Sequence, residues 1–139
     1  MTAPFAFDLR VRFGECDPQG IVFNANYVSY FDHAFTELWR EAFGSYGAMV
    51  ERGLDMVVAE INLTFSGSAR FDDQASIEAT IENLGTTSMT TWLELRRDGE
   101  SLVQCRIRHV FVAAETLAKT PIPDWLRDGL SPYVRAADY

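Results

Sequence analysis

Only one segment of this chain spaces its apolar residues as a helix does; the other ordered-looking segments alternate. Tyr27, Val28, Phe31, Ala34, Phe35, Leu38 and Ala42 recur at three- and four-residue steps, with Ser29, His33, Thr36, Glu37 and Arg40 opposite them. The spacing predicts an amphipathic helix of about five turns. Before it, "FAFDLRVRF" sets Phe5, Phe7, Leu9, Val11 and Phe13 against Ala6, Asp8, Arg10 and Arg12, the period of a half-buried strand. After it come four more alternating runs: Val57 to Phe65, Ala75 to Ile81, Met89 to Leu95 and Cys105 to Ala113, each apolar at odd positions. Gly44 and Gly47 mark the helix end, "GAMVERGL" reads as a short second helix, and "PIPDWLRDGL" as a short helical segment along a sheet edge. Asp98-Gly99 marks a tight hairpin, and the links after residue 66 are too short for the crossovers that parallel strands need. A lone apolar helix stripe and a one-faced sheet are buried most simply against each other. The expected fold is therefore α+β, an antiparallel sheet of about five strands wrapped around one long central helix.

A chain of 139 residues is expected to form a single domain, 1–139, with a core large enough to need neither metal nor disulfides. Cys16 and Cys105 stand far apart with no CxxC spacing, which suits a reducing compartment. No apolar run reaches the ~18 residues of a membrane span. The start, "MTAPFAFDLR", lacks the basic and apolar segments of a secretion signal, so a cytoplasmic location is expected. A net charge of −8 opposes nonspecific binding to nucleic acid. A small anionic ligand would need a local basic patch supplied mainly by arginines, because Lys119 is the only lysine.

The segment "GECDPQGIVFNANYVSYF", residues 14–31, places Asp17, Pro18 and Gly20 in a turn that runs into the helix. Two readings of Asp17 stand. Aspartate before proline shapes turns and caps helices; equally, a carboxylate beside the free N–H groups and positive dipole end of a helix start can do chemistry.

The element order, together with "ECDPQGIVFNANYVSYFDHA" at the helix start, resembles the hotdog-fold acyl-CoA thioesterases, specifically the 4-hydroxybenzoyl-CoA thioesterase-like family. The resemblance runs along nearly the whole chain: an aromatic-rich first strand, D-x-x-G-[IV]-[VF]-x-x-x-x-Y from Asp17 to Tyr27, a turn from Gly85 to Ser88, and the proline-rich end at Pro121 to Pro123. It implies a homodimer or homotetramer with sites at subunit boundaries, hydrolysing acyl-CoA to free acid and CoA without metal or cofactor. Asp17 is implied as nucleophile or as general base for water, and the backbone N–H of Asn24 as an oxyanion donor. Many family members carry histidine or tyrosine at the Asn24 position, so the donor implied here is the backbone. Gly20 would let the chain pass close to the substrate. Phe23 and Tyr27 are implied as acyl-pocket walls. Asp32 stands where one branch of the family meets a ring hydroxyl. Arg70, Arg96, Arg97 and Lys119 are placed to meet CoA phosphates.

His33 is expected on the polar side of the helix and His109 in the core beside Ile107 and Phe111. Cys16 is a poor nucleophile, since the adjacent carboxylate disfavours its thiolate. A hydratase or dehydratase acting on acyl thioesters is the rival enzyme reading; it wants an Asp–His pair. A non-catalytic acyl-CoA binding protein is the other alternative.

Overall fold

A computed structural model describes residues 5–135. The elements run β1 (Phe5–Arg10), α1 (Asn26–Phe43), α2 (Tyr46–Glu51), β2 (Leu54–Phe65), β3 (Gln74–Leu84), β4 (Ser88–Arg97), β5 (Glu100–Ala113) and α3 (Asp124–Leu130). The five strands form one antiparallel sheet ordered β1, β3, β4, β5, β2. Helix α1 has 18 residues. Among the described residues no helix is long and apolar enough to cross a membrane.

Alternation explains the sheet's inner face. Ala75, Ile77, Ala79 and Ile81 of β3, and Met89, Thr91, Leu93 and Leu95 of β4, are all buried, while Thr80, Glu82, Trp92 and Glu94 point outward. The inner face and the stripe of α1 meet in one cluster containing Phe31, Leu38, Trp39 and Phe111. Each such side chain contributes roughly 1.5–3 kcal/mol by leaving water. The β4–β5 hairpin turns at Asp98 (φ 51°) and Gly99 (φ 79°); both dihedrals are positive, as the Asp-Gly pair predicts. The α1 stripe is wider than its spacing suggested, since Tyr30 and Trp39 are buried as well.

Three expectations are corrected. The β2 alternation breaks at a bulge between Val58 and Glu60, which leaves Ala59 without a partner. Leu54, Met56 and Val58 before the bulge, and Ile61, Leu63 and Phe65 after it, therefore share the inner face, opposite Phe111, His109, Ile107, Cys105 and Val103 of β5. Val57 turns to the other face. The first strand ends at Arg10, and a 3-10 turn over Phe13–Glu15 carries Phe13 outward, 79% exposed and edge-on to Phe71. Val28 lies at the exposed flank of α1 and is not in the core. Helix α3 packs Trp125 against Phe43 at the end of α1, and Val134 bridges Ile81 of β3, two residues beyond the Ala79 that faces Phe5.

Candidate active site at the start of helix α1

The loop before α1 is fastened on three sides. Asp17 Oδ1 accepts from the Gln19 N–H at 2.8 Å, and the Gly20 N–H donates to the Asp17 carbonyl at 2.9 Å. Gly20 takes φ +80°, a left-handed dihedral that glycine reaches without strain. Asp17 thus shapes the turn, as its type and its proline neighbour suggest. Its carboxylate remains partly exposed with a second oxygen available. On the next side, the Val22 N–H donates to the Ala69 carbonyl, Ile21 bridges Arg70, and the Ala69 N–H donates to the buried Tyr27 hydroxyl at 3.0 Å. Burial raises the Tyr27 pKa against that hydrogen bond.

Glu15, a residue the sequence reasoning missed, supplies the third side. Its carbonyl accepts from the Phe23 N–H and from Asn26 Nδ2, while its carboxylate accepts from the Arg12 N–H and the Tyr30 hydroxyl, both at 2.8 Å. Burial works to raise the Glu15 pKa, but the hydrogen bonds from Arg12 and Tyr30 outweigh it and hold the acid below its ordinary value. Glu at the third position of a short helical turn is a visible capping signal, yet only the fold brings Tyr30 to it.

Helix α1 then begins without a side-chain cap, because Ala25 occupies the capping position. Among the described residues the backbone N–H groups of Asn24 and Ala25 have no hydrogen-bond partner. Two donors and the positive end of an 18-residue helix therefore lie in the same loop as the Asp17 carboxylate.

A cleft of about 280 Å³ runs along the flank of α1, between Val28, Ser29, Asp32 and Phe35 of the helix and Val58, Ile61, Ile107 and His109 of the sheet. Asp32 is therefore on the cleft. Tyr27 is buried beneath the loop and Phe23 is exposed beside it; neither is among the residues lining the cleft. The missed lining residues could not be paired across elements without knowing that β2 pairs with β5.

The basic residues divide. Arg97 Nη1 pairs with Asp73 at 2.6 Å and Arg96 Nη1 with Glu94 at 2.6 Å. Arg70 and Lys119 are exposed and form no ion pair among the described residues. Arg70 adjoins Ile21, whereas Lys119 bridges Val112, about 30 Å along β5 from Val103 and the Phe65 end where α1 starts. No group of His, Cys, Asp and Glu able to hold a metal ion occurs among the described residues. His33 is exposed, 3.8 Å from Glu37, and His109 sits in the cleft wall on β5, so the two do not form a pair. Cys105 is buried, with its thiol pushed up to about 12.

The fold, an antiparallel five-stranded sheet with helices, is that of the hotdog class. The chain belongs to the thioesterase-like superfamily, whose family model matches residues 11–130. It is similar to the acyl-CoA thioester hydrolase YbgC of Escherichia coli, 30% identical over 88 residues, with 63% of this chain and 66% of that protein covered. It is also similar to the 4-hydroxybenzoyl-CoA thioesterase of Pseudomonas sp., 31% identical over 91 residues, with 59% and 60% covered. The first alignment spans just under two thirds of the relative and the second three fifths. The crystal structure of a hypothetical protein from Aquifex aeolicus superposes with a TM-score of 0.86 at 26% identity, covering 91% of this chain and 99% of that one.

Proposed function

We propose that this protein is an acyl-CoA thioesterase, hydrolysing the thioester to free acid and CoA on a hotdog fold whose sheet curls around α1. What supports the reading is the shared segment: the Asp17 turn and the unpartnered N–H groups of Asn24 and Ala25 belong to one stretch, residues 17–25, that runs into the uncapped start of α1. Thioester hydrolysis needs these two things, a group that attacks or activates water and donors for the carbonyl oxygen as it gains charge. With the carbonyl oxygen on the helix-start donors, Asp17 either attacks the carbonyl carbon, expelling CoA thiolate and leaving a mixed anhydride for water, or takes a proton from the water that attacks directly.

The acyl group then extends along α1 into the cleft. Val28 and Asp32 lie about 6 Å and 12 Å along the helix axis from Asn24, a span suited to a ring or a short chain. Phe23 flanks the entrance, Tyr27 holds the loop floor and Asp32 meets the far end of the acyl group. Arg70 serves the CoA phosphates on the same side, with Arg96 and Arg97 as structural neighbours already bound to carboxylates.

Lys119 reaches the same site only from a second copy. Strand β2 is an open edge, with Val58 and Phe65 each 52% exposed on the inner face. Pairing two β2 edges antiparallel about a two-fold axis covers these side chains, satisfies the edge and brings the Lys119 end of one protomer beside the Asp17 end of its partner. A homodimer or homotetramer in the cytoplasm is the assembly this reading describes.

The test is release of free thiol from short, long and aromatic acyl-CoAs by wild type and Asp17→Asn side by side. Wild type is expected to release CoA while the variant, folded and still binding substrate, loses turnover by at least about 100-fold, the scale of a lost acid–base group. Near-normal turnover by Asp17→Asn would remove Asp17 from the chemistry and leave it a turn residue.

A further inference from the structure

The peptide group that joins Phe23 to Asn24 is held more firmly than the one after it. Its carbonyl, that of Phe23, accepts from the Asn26 N–H at 2.8 Å. No cis peptide bond occurs among the described residues, so the Asn24 N–H points away from that carbonyl. The next peptide is tied less tightly, since the Asn24 carbonyl accepts from the Tyr27 N–H at 3.3 Å, longer than such bonds usually are. A further link spans the Phe23–Asn24 peptide. The Glu15 carbonyl accepts from the Phe23 N–H at 3.0 Å and from Asn26 Nδ2 at 2.8 Å, one donor from either side of it. A carbonyl only accepts, so the Asn26 amide must present its NH2 group there.

Asn26 is the first residue of α1, and the helix itself gains little from it. Asparagine is a poorer helix former than alanine, and the capping position belongs to Ala25. Its half-buried side chain reaches backward instead, onto the main chain two residues before Asp17. We propose that Asn26 is a positioning residue for hydrolysis: by clamping the Glu15 carbonyl it fixes the direction in which the Asn24 N–H is presented to the thioester oxygen. The same clamp ties the start of α1 to the segment that leads into Asp17. An oxyanion donor acts as the carbonyl oxygen gains charge, and its strength depends on being aimed beforehand. A donor that swings must be ordered again in each turnover, which slows the reaction and leaves substrate binding nearly unchanged. The clamp uses the Glu15 main-chain carbonyl, so it is separate from the bond between the Glu15 carboxylate and Tyr30.

The inference rests on the thioesterase reading, and two readouts keep their failures apart. Wild type and Asn26→Ala are compared for kcat and KM on the acyl-CoA that wild type hydrolyses best, and backbone amide order parameters are measured by 15N relaxation in both. Asn26→Ala is expected to lower kcat about tenfold or more, a part of the roughly 100- to 1,000-fold that loss of a whole oxyanion donor costs, with KM within about twofold of wild type. The order parameter of the Asn24 amide should fall from the ~0.85 of rigid backbone to below about 0.6. The Gln19 and Gly20 amides, which donate to Asp17, should stay as in wild type. A residue that only stabilises the fold would lower Tm and move neither readout. A kcat within about twofold of wild type, a loss confined to KM, or an Asn24 amide equally ordered in both proteins overturns the assignment. Should Asn26→Ala fail to fold, Asn26→Asp keeps the shape, suits the first turn of a helix and removes the same donor; the Asn24 amide then decides by the same criterion. If wild type hydrolyses no acyl-CoA, the thioesterase reading fails. The Asn24 amide still decides the clamp: order lost in the variant supports it, and unchanged order overturns it.

Discussion

The contact between Glu15 and Tyr30 is the fastening of the loop that carries Asp17, and its strength can be measured. Tyr30 is buried and its hydroxyl donates to Glu15 Oε1 at 2.8 Å; the Arg12 guanidinium that also reaches Glu15 is 82% exposed. A hydrogen bond to a charged group contributes roughly 1.5–3 kcal/mol when shielded, whereas an exposed ion pair contributes about 0–1 kcal/mol and is screened by salt. Because Glu15 keeps its Arg12 backbone N–H and some access to water, we expect a Glu15–Tyr30 coupling near the low end, about 1.5 kcal/mol. A double-mutant cycle of Tyr30→Phe, Glu15→Ala and both together, followed by urea unfolding, reads this coupling. Each single change should lower Tm by about 4 °C or more. Raising NaCl to about 0.5 M should leave the coupling nearly intact, since the pair is shielded, while shrinking the already small cost of Arg12→Ala. The dependence on pH has a definite sign. The folded-state pKa of Glu15 lies below its ordinary value of 4.5, so its stabilisation is complete above that value and is lost as pH falls through the folded one. The stability gap between wild type and Glu15→Ala should be constant at neutral pH and narrow on acidification below about 4.5. A coupling under about 0.3 kcal/mol, or a gap that widens in acid, would refute the view that this contact anchors the loop.

Two further outcomes follow from the edge strand and the thiols. Val57→Lys, placed on the open β2 edge and facing away from the cleft, should shift the protein to monomer in sedimentation equilibrium and cut thiol release; an unchanged oligomer would locate the interface elsewhere. In the native protein a thiol reagent should modify the partly exposed Cys16 alone, leaving the buried Cys105 for reaction only after denaturation; rapid native labelling of both, followed by mass spectrometry of each peptide, would contradict the burial of Cys105.

Much of this protein is local and therefore legible in its sequence. Strand alternation in β3 and β4, the stripe of α1 and the Asp98-Gly99 turn each depend on residues a few positions apart, and periodicity reports them directly. The turn at Asp17 to Gly20 is likewise local, so its resemblance to thioesterases could be seen before any fold. What periodicity cannot report is pairing between distant segments. β2 precedes β3 in the chain yet pairs with β5 at the far edge of the sheet, and its Ala59 bulge reverses which residues face inward. That single choice of partner places Val58 and Ile61 against α1, turns His109 from an ordinary core residue into a cleft wall, and separates Lys119 from Arg70 within one protomer. Glu15 shows the same division, since its short-range contact with Arg12 is written in the sequence and its contact with Tyr30 exists only because the loop folds back onto α1. The sequence by itself determined the elements, because those follow from spacing along the chain. Tertiary structure alone decided which polar groups are enclosed together, because burial depends on what the rest of the chain brings near.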